Sequence, residues 1–183
     1  MTGLSSSQRI ILPMINQVLA THPKWSYLDQ AWILTFVMRE SGGRPLVINP
    51  TGRQDGLMQV EPSTAQDMAV AYGIPAGPQT DSMVSLLSGT AYLDYCARKL
   101  IAAWNWVSLP LWTLVKSYNG GYGHFLPNAV IPPDVAGRLA TYLAYWQAEL
   151  PIVEQQMEAT ATLTNRPNFA PRRMRSVMPL LTT

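Results

Sequence analysis

Cysteine, histidine and charge are all scarce in this 183-residue chain: one Cys, two His and only 13% Asp, Glu, Lys and Arg. A lone Cys96 cannot close an internal disulfide, and its apolar helical setting predicts a buried, inert thiol, so the fold does not depend on oxidation. His22 and His124 are too few and too isolated for a metal site, and no metal or cofactor is expected. No uninterrupted apolar run approaches the roughly 20 residues that span a bilayer, so no transmembrane segment is expected. The first residues, Met1–Arg9, lack the charged start, long apolar run and small-residue cleavage site of a secretory signal. That predicts a protein made in the cytoplasm without a signal peptide. A basic excess is missing too. Thirteen Lys and Arg face eleven Asp and Glu, which argues against nucleic acid as the primary ligand.

What is present is packing material. Hydrophobic residues make up 48% of the chain, with six Trp, eight Tyr and three Phe, enough for one sizeable core. Most of these aromatics are expected to pack, although flat rings also suit the apolar faces of sugars. The reading is one domain over residues 1–150 and a C-terminal helical extension with a basic, Pro- and Arg-containing tail over 151–183. The stretch from Arg166 to Arg175 carries four arginines and no acid, so it reads as a solvated tail or as a contact for an acidic surface. There is no internal repeat.

Helical periodicity dominates. Leu28, Ala31, Trp32, Thr35, Phe36 and Arg39 recur at three and four, predicting a helix from Ser26 to about Arg39 with Ser26 as cap and Asp29 completing a capping box. An earlier helix is expected over Ile10–Ala20, tolerating Pro13 if the helix proper begins there. From Gly42 to Gln59, Gly and Pro punctuate an excursion of loops and short strands, where a substrate cleft can form. Pro62 opens a helix that stops near Gly73. Asp81 or Ser82 caps a long helix to about Ala103. Another runs from Leu111 to about Asn119, ended by Gly120 and Gly121. After Pro132 and Pro133 a helix reaches Ala148, and one more is expected beyond Pro151 to about Thr164.

Three short motifs carry potential chemistry. Glu40-Ser41-Gly42-Gly43 ends a hydrophobic helix. A glutamate buried there is held protonated near neutral pH, as a general acid for a glycosidic oxygen requires; otherwise it is simply a solvated charge at the helix end. In Gly56-Leu57-Met58-Gln59 a glycine permits close backbone approach, and Gln59 can hydrogen-bond sugar or the acid. Taken alone, that segment reads as a short strand leading into the next helix. Ser117-Tyr118-Asn119-Gly120-Gly121-Tyr122-Gly123 is a helix end passing into a glycine-rich turn. Taken alone, it is a C-cap. Tyr122, His124 and Phe125 form either a sugar-stacking rim or ordinary loop packing.

In this order the three motifs resemble those of the soluble lytic transglycosylases of the lysozyme-like superfamily: Glu-Ser, Gly-Leu-Met-Gln and Ala-Tyr-Asn-x-Gly-x-Gly. Asn49-Pro50-Thr51-Gly52, Pro62-Ser63-Thr64-Ala65 and Gly89-Thr90-Ala91-Tyr92-Leu93 agree with intervening features, and the likeness covers roughly Leu28 to Trp146. It implies a mainly α, lysozyme-like α+β fold in which a small loop or β-hairpin excursion forms one wall of the cleft. It also implies Glu40 as the sole catalytic carboxylate, Ser41 supporting it at the substrate site, Met58 and Gln59 lining the cleft, and Tyr118 with Asn119 packing on the acid or touching substrate. Tyr142 is similar to the family's late tyrosine near the site. Three departures stand out. Ser117 replaces the usual alanine, Arg53-Gln54-Asp55 lengthens the turn before Gly56, and the glutamate usual before the late tyrosine is missing.

The resemblance implies peptidoglycan glycan strands as substrate, with action in the periplasm or cell wall, and cleavage between N-acetylmuramic acid and N-acetylglucosamine with formation of a 1,6-anhydro ring. Two other readings stay open. Asp55 can serve as the second carboxylate of a hydrolytic muramidase, or the domain is a silent wall-binding module of a phage particle. The tail suggests a part within a virion or secretion apparatus that opens the wall.

Overall fold

A computed structural model describes residues 3–25, 27–49, 54–106, 109–163 and 177–178. The described chain is mainly helical: α1 Ser6–Thr21, α2 Gln30–Ser41, α3 Pro62–Tyr72, α4 Ser82–Trp104, α5 Leu111–Gly120 and α6 Pro133–Leu163. Two 3-10 turns, Pro23–Trp25 and Tyr122–Phe125, add to these. The regular strand among the described residues is one two-residue antiparallel pair, β1 Leu109–Pro110 with β2 Val177–Met178. No helix among the described residues is long and apolar enough to cross a membrane.

The helix ends follow local chemistry. α1 begins at Ser5, whose hydroxyl accepts from the Gln8 backbone N–H at 3.3 Å while the Gln8 side chain accepts from the Ser5 N–H at 2.7 Å. This reciprocal box starts the helix upstream of Ile10 and leaves Pro13 in its interior. The expectation that the helix proper begins at Pro13 is corrected accordingly, because two satisfied end donors outweigh the bond Pro13 cannot make. Ser5→Ala is expected to lower stability by about 1 kcal/mol, read as a fall of about 2–4 °C in Tm.

α2 starts later than the pattern suggested. Asp29 is the cap and accepts from the Ala31 N–H at 2.7 Å; the proposed cap Ser26 lies outside the described residues. Ala31 through Val37 are all buried, so α2 is apolar all round, as a central helix must be. Thr35 is tolerated there because its hydroxyl donates to the Ala31 carbonyl. At the start of α4, Asp81 Oδ1 accepts from the N–H groups of Met83 and Val84, and Gly73 closes α3 in the left-handed conformation; both were expected.

The chain divides into two compact units, one of Met1–Ala91 with Glu149–Arg172, the other of Tyr92–Ala148 with Arg173–Thr183. In the first, Ile11, Ile15 and Val18 of α1 are buried, as are Ala31–Val37 and Ser41 of α2. α6 does not break at Pro151, as had been expected, but continues to Leu163. Leu150, Val153 and Met157 are buried around the proline, and this burial outweighs one lost backbone bond. The end of α6 also meets the N-terminal segment. Thr160 Oγ1 accepts from the Leu4 N–H at 3.2 Å, and Gln8 Nε2 donates to Gln156 Oε1 at 3.1 Å. In the second unit Cys96 is fully buried, and burial pushes its thiol up to about 12, which keeps it protonated and unreactive. The basic segment from Arg166 to Arg175 lies outside the described residues.

Candidate active site

Glu40, Ser41, Met58 and Gln59 belong to the first unit, whereas Tyr118, Asn119 and Tyr142 belong to the second. Glu40 is the penultimate residue of α2, half-buried where the helix leaves its buried run. The turn after it is tightly held. Ser41 is buried; its hydroxyl donates to the Val37 carbonyl at 3.0 Å and accepts from the Gly43 N–H at 3.2 Å. Gly42 takes φ +62°, and its N–H donates to Met38 O. A left-handed residue with a clamped hydroxyl fixes the end of the helix, and with it the backbone that carries Glu40.

The Gly-Leu-Met-Gln segment is a turn, not the short strand its composition also allowed. Isolated antiparallel bridges pair Asp55 with Ile48 and with Val60, so residues 56–59 form the loop between them. Gln59 has φ +50°, rare for a residue with a side chain. Its own amide stabilises that conformation: Nε2 donates to the carbonyls of Val47 at 3.0 Å and Gly56 at 2.9 Å. Oε1 accepts no hydrogen bond among the described residues and is the end of the amide left for another group.

The turn rests on α4. The Met58 N–H donates to the buried Ser85 hydroxyl at 3.1 Å. The Met58 side chain is fully buried and fills the space left by the missing Cβ of Gly89. Met58 therefore forms the packing beneath Gln59. Ser85 and Gly89 lie four apart on one face of α4. Ser85 was not singled out from the sequence, although a serine and a glycine inside an apolar helix, each a poor helix former, were the available signal. Gly56 is equally constrained. It has φ +78°, and a Cβ there would overlap the Gln79 backbone carbonyl.

Asp55 Oδ1 is buried without a hydrogen-bond partner among the described residues. Asp55 lines a cavity of roughly 300 Å³ together with Pro62, Gln66, Pro78, Gln79 and Ser88; Glu40 is not among its lining residues. Of the turn Asn49-Pro50-Thr51-Gly52, only Asn49 is described; it joins Gln54 through both backbone and side chain.

In the second unit, Tyr118 and Asn119 are the eighth and ninth residues of α5. Tyr118 is buried with its ring 5.5 Å from that of Tyr92. Asn119 Oδ1 is buried and has no partner among the described residues. Ser117, where the related motif has alanine, returns its hydroxyl to the Thr113 carbonyl at 2.7 Å. The substitution thus leaves no orphaned group. Gly120 gives room to Leu139 of α6, and the buried Tyr142 follows Leu139 by about one turn.

The family described as Transglycosylase SLT domain matches residues 21–129, more than half of the chain. The chain belongs to that family. The match includes Glu40, the Gly-Leu-Met-Gln turn and Tyr118-Asn119, and it ends before Tyr142. Membership agrees with the mainly helical SLT fold. It makes the chain a glycan-cleaving domain of the lytic transglycosylase type, with peptidoglycan as the implied substrate. Among curated proteins, none matches the chain.

Proposed function

We propose that this SLT domain cleaves the β-1,4 bond between N-acetylmuramic acid and N-acetylglucosamine and closes a 1,6-anhydro ring on the muramyl product. The observation that carries the proposal is the fixed position of Glu40, a half-buried carboxylate at the end of a buried helix whose following turn is clamped by Ser41. Glu40 protonates the glycosidic oxygen as the bond to the muramyl carbon breaks. The sugar's own N-acetyl oxygen stabilises the positive centre. Glu40, now a carboxylate, takes the proton from the muramyl C6 hydroxyl, whose oxygen closes the ring. The proton balance is restored and no water is consumed. Gln59, held by Val47 and Gly56, offers Oε1 to a substrate donor. Ser41 and Met58 act as positioning residues through the helix end and the packed turn. Tyr118, Asn119 and Tyr142, all of the second unit, are proposed to contact substrate.

A hydrolytic variant needs a second carboxylate to activate water. Asp55 is the acid in the hairpin excursion; its Oδ1 is buried, and the cavity it lines does not include Glu40. Asp55→Asn is therefore expected to keep peptidoglycan clearing within about twofold of wild type, where loss of a catalytic base costs at least about a hundredfold. A turbidity assay on purified sacculi measures this, and a loss of that larger size would favour hydrolysis. The proposed setting is a wall-opening component of a virion or secretion apparatus acting in the periplasm or wall, with the segment from Arg166 to Arg175 as its attachment. The support for that setting is the basic composition of the segment.

A further inference from the structure

The cavity that adjoins the Gly56–Gln59 turn through Asp55 has no part in the chemistry of Glu40, which does not line it. Its lining combines a buried polar floor with a rim open to solvent. Gln79 and Ser88 are 6% and 1% exposed, whereas Pro62, Gln66 and Pro78 are exposed. All of these residues belong to the first unit.

Two acceptors on this lining are orphaned. Asp55 Oδ1 and Gln79 Oε1 are both buried and accept no hydrogen bond among the described residues. Gln79 is held by its other groups. Its Nε2 donates to the Ser88 hydroxyl at 3.3 Å, and its backbone carbonyl lies where a Cβ of Gly56 would be. Buried acceptors without donors are rare in folded proteins, because nothing replaces their lost hydration. Two of them on residues lining one cavity point to an occupant that brings donors.

Charge and size narrow that occupant. Asp55 is the one ionisable side chain of the lining, and no Lys, Arg or His accompanies it, so the occupant is cationic. A metal ion fits poorly. No group of three or more His, Cys, Asp and Glu that could hold one occurs among the described residues, and a calcium ion takes about six to eight oxygen ligands. The cavity holds roughly 300 Å³, against about 30 Å³ for one water, so a bare ion would leave most of it unfilled. An ammonium group has three donors and no acceptor, and Pro62 and Pro78 offer apolar wall for a chain of methylenes.

We infer that this cavity binds a primary alkylammonium group, its charge at Asp55 and Gln79 and its aliphatic chain along the prolines. Either a lysine side chain or a free alkylamine carries that chemistry. A carboxylate beside the amine would meet Asp55 without a compensating cation, which disfavours zwitterionic head groups.

The test is isothermal titration of the full chain at neutral pH. The probes are n-butylamine for the free alkylamine, N-α-acetyl-lysine amide for the lysine side chain, and 1-butanol as the uncharged control. Wild type is expected to be half-saturated by at least one amine near about 1 mM and not by butanol at about 10 mM. Asp55→Asn keeps the shape and removes the charge, and is expected to weaken amine binding about tenfold or more. Gln79→Leu removes one acceptor and is expected to weaken it about fivefold. The Tm of each variant without amine checks its fold, and Gln79→Leu carries the test if Asp55→Asn does not fold. Tighter binding of the lysine derivative than of butylamine supports the site with a lysine side chain as its ligand; the reverse order supports it with a free amine. No binding of either amine by wild type at about 10 mM would overturn the inference and leave a cavity that holds water alone. Equal binding by wild type and folded Asp55→Asn, or butanol binding as well as the amines, would also overturn it, because the cavity would then not read charge.

Discussion

Glu40→Gln is expected to reduce clearing of purified peptidoglycan by at least about a hundredfold, and by as much as about ten-thousandfold, the range for removal of a general acid and base. The amide has nearly the same size and keeps hydrogen-bonding capacity, so the end of α2 should persist. Ser41 still bonds Val37 and Gly43, and the buried run Ala31–Val37 is untouched. Tm is therefore expected to stay within about 2 °C of wild type, the size of a surface change. What disappears is the titratable carboxyl proton. Gln cannot protonate the departing oxygen or accept the proton of the C6 hydroxyl, so both halves of the cycle fail together. A variant with unchanged Tm and near wild-type clearing would remove Glu40 from the chemistry. Lost clearing with a large fall in Tm would mark it as a structural residue.

The second large effect is expected at Gly56. A Cβ there would overlap the backbone carbonyl of Gln79 and lie within 2.9 Å of the Ser85 hydroxyl, at φ +78°. A flexible side chain can yield, but a carbonyl fixed in the chain cannot, so Gly56→Ala must displace the turn that Ser85 and Gly89 hold. The expected loss is about 3 to 5 kcal/mol, a fall in Tm on the order of 10 °C. Gly73→Ala is the control. Gly73 has a similar φ of +63° but nothing within 4 Å of an added Cβ. It reports left-handed strain alone, about 1 kcal/mol. Clearing by Gly56→Ala, measured below its Tm, should fall about a hundredfold, because moving Gly56 removes an anchor of Gln59. Equal Tm values for the two variants would show that the close approach to Gln79 does not constrain the fold.

Much of this was legible in the sequence where the controlling interactions are local. Asp81 caps α4 through its own neighbours, Gly73 ends α3, and α5 stops at Gly120 with Gly121 as its cap, so composition and spacing suffice. The order of the three motifs identified the family. Other features depend on residues far apart in the chain. The left-handed Gln59 is stabilised by a carbonyl twelve residues earlier, so no local propensity indicates a turn instead of a strand. Pro151 reads as a helix break until Leu150, Val153 and Met157 are seen to be buried around it. Met58 reads as a cleft residue until Gly89 is found to give it a place inside. The Ser5–Gln8 box, in contrast, is local: a serine followed three residues later by a glutamine marks the start of α1 ahead of Pro13.

The most direct test of ring closure by a single carboxylate is digestion of purified peptidoglycan by the wild-type chain in heavy-oxygen water, followed by mass analysis of the muropeptides. Products ending in 1,6-anhydro-muramic acid, with no heavy oxygen incorporated, are expected, because the C6 hydroxyl closes the ring and no water enters. Reducing-end products one water heavier and carrying the label would contradict lytic transglycosylation and make the enzyme a hydrolase.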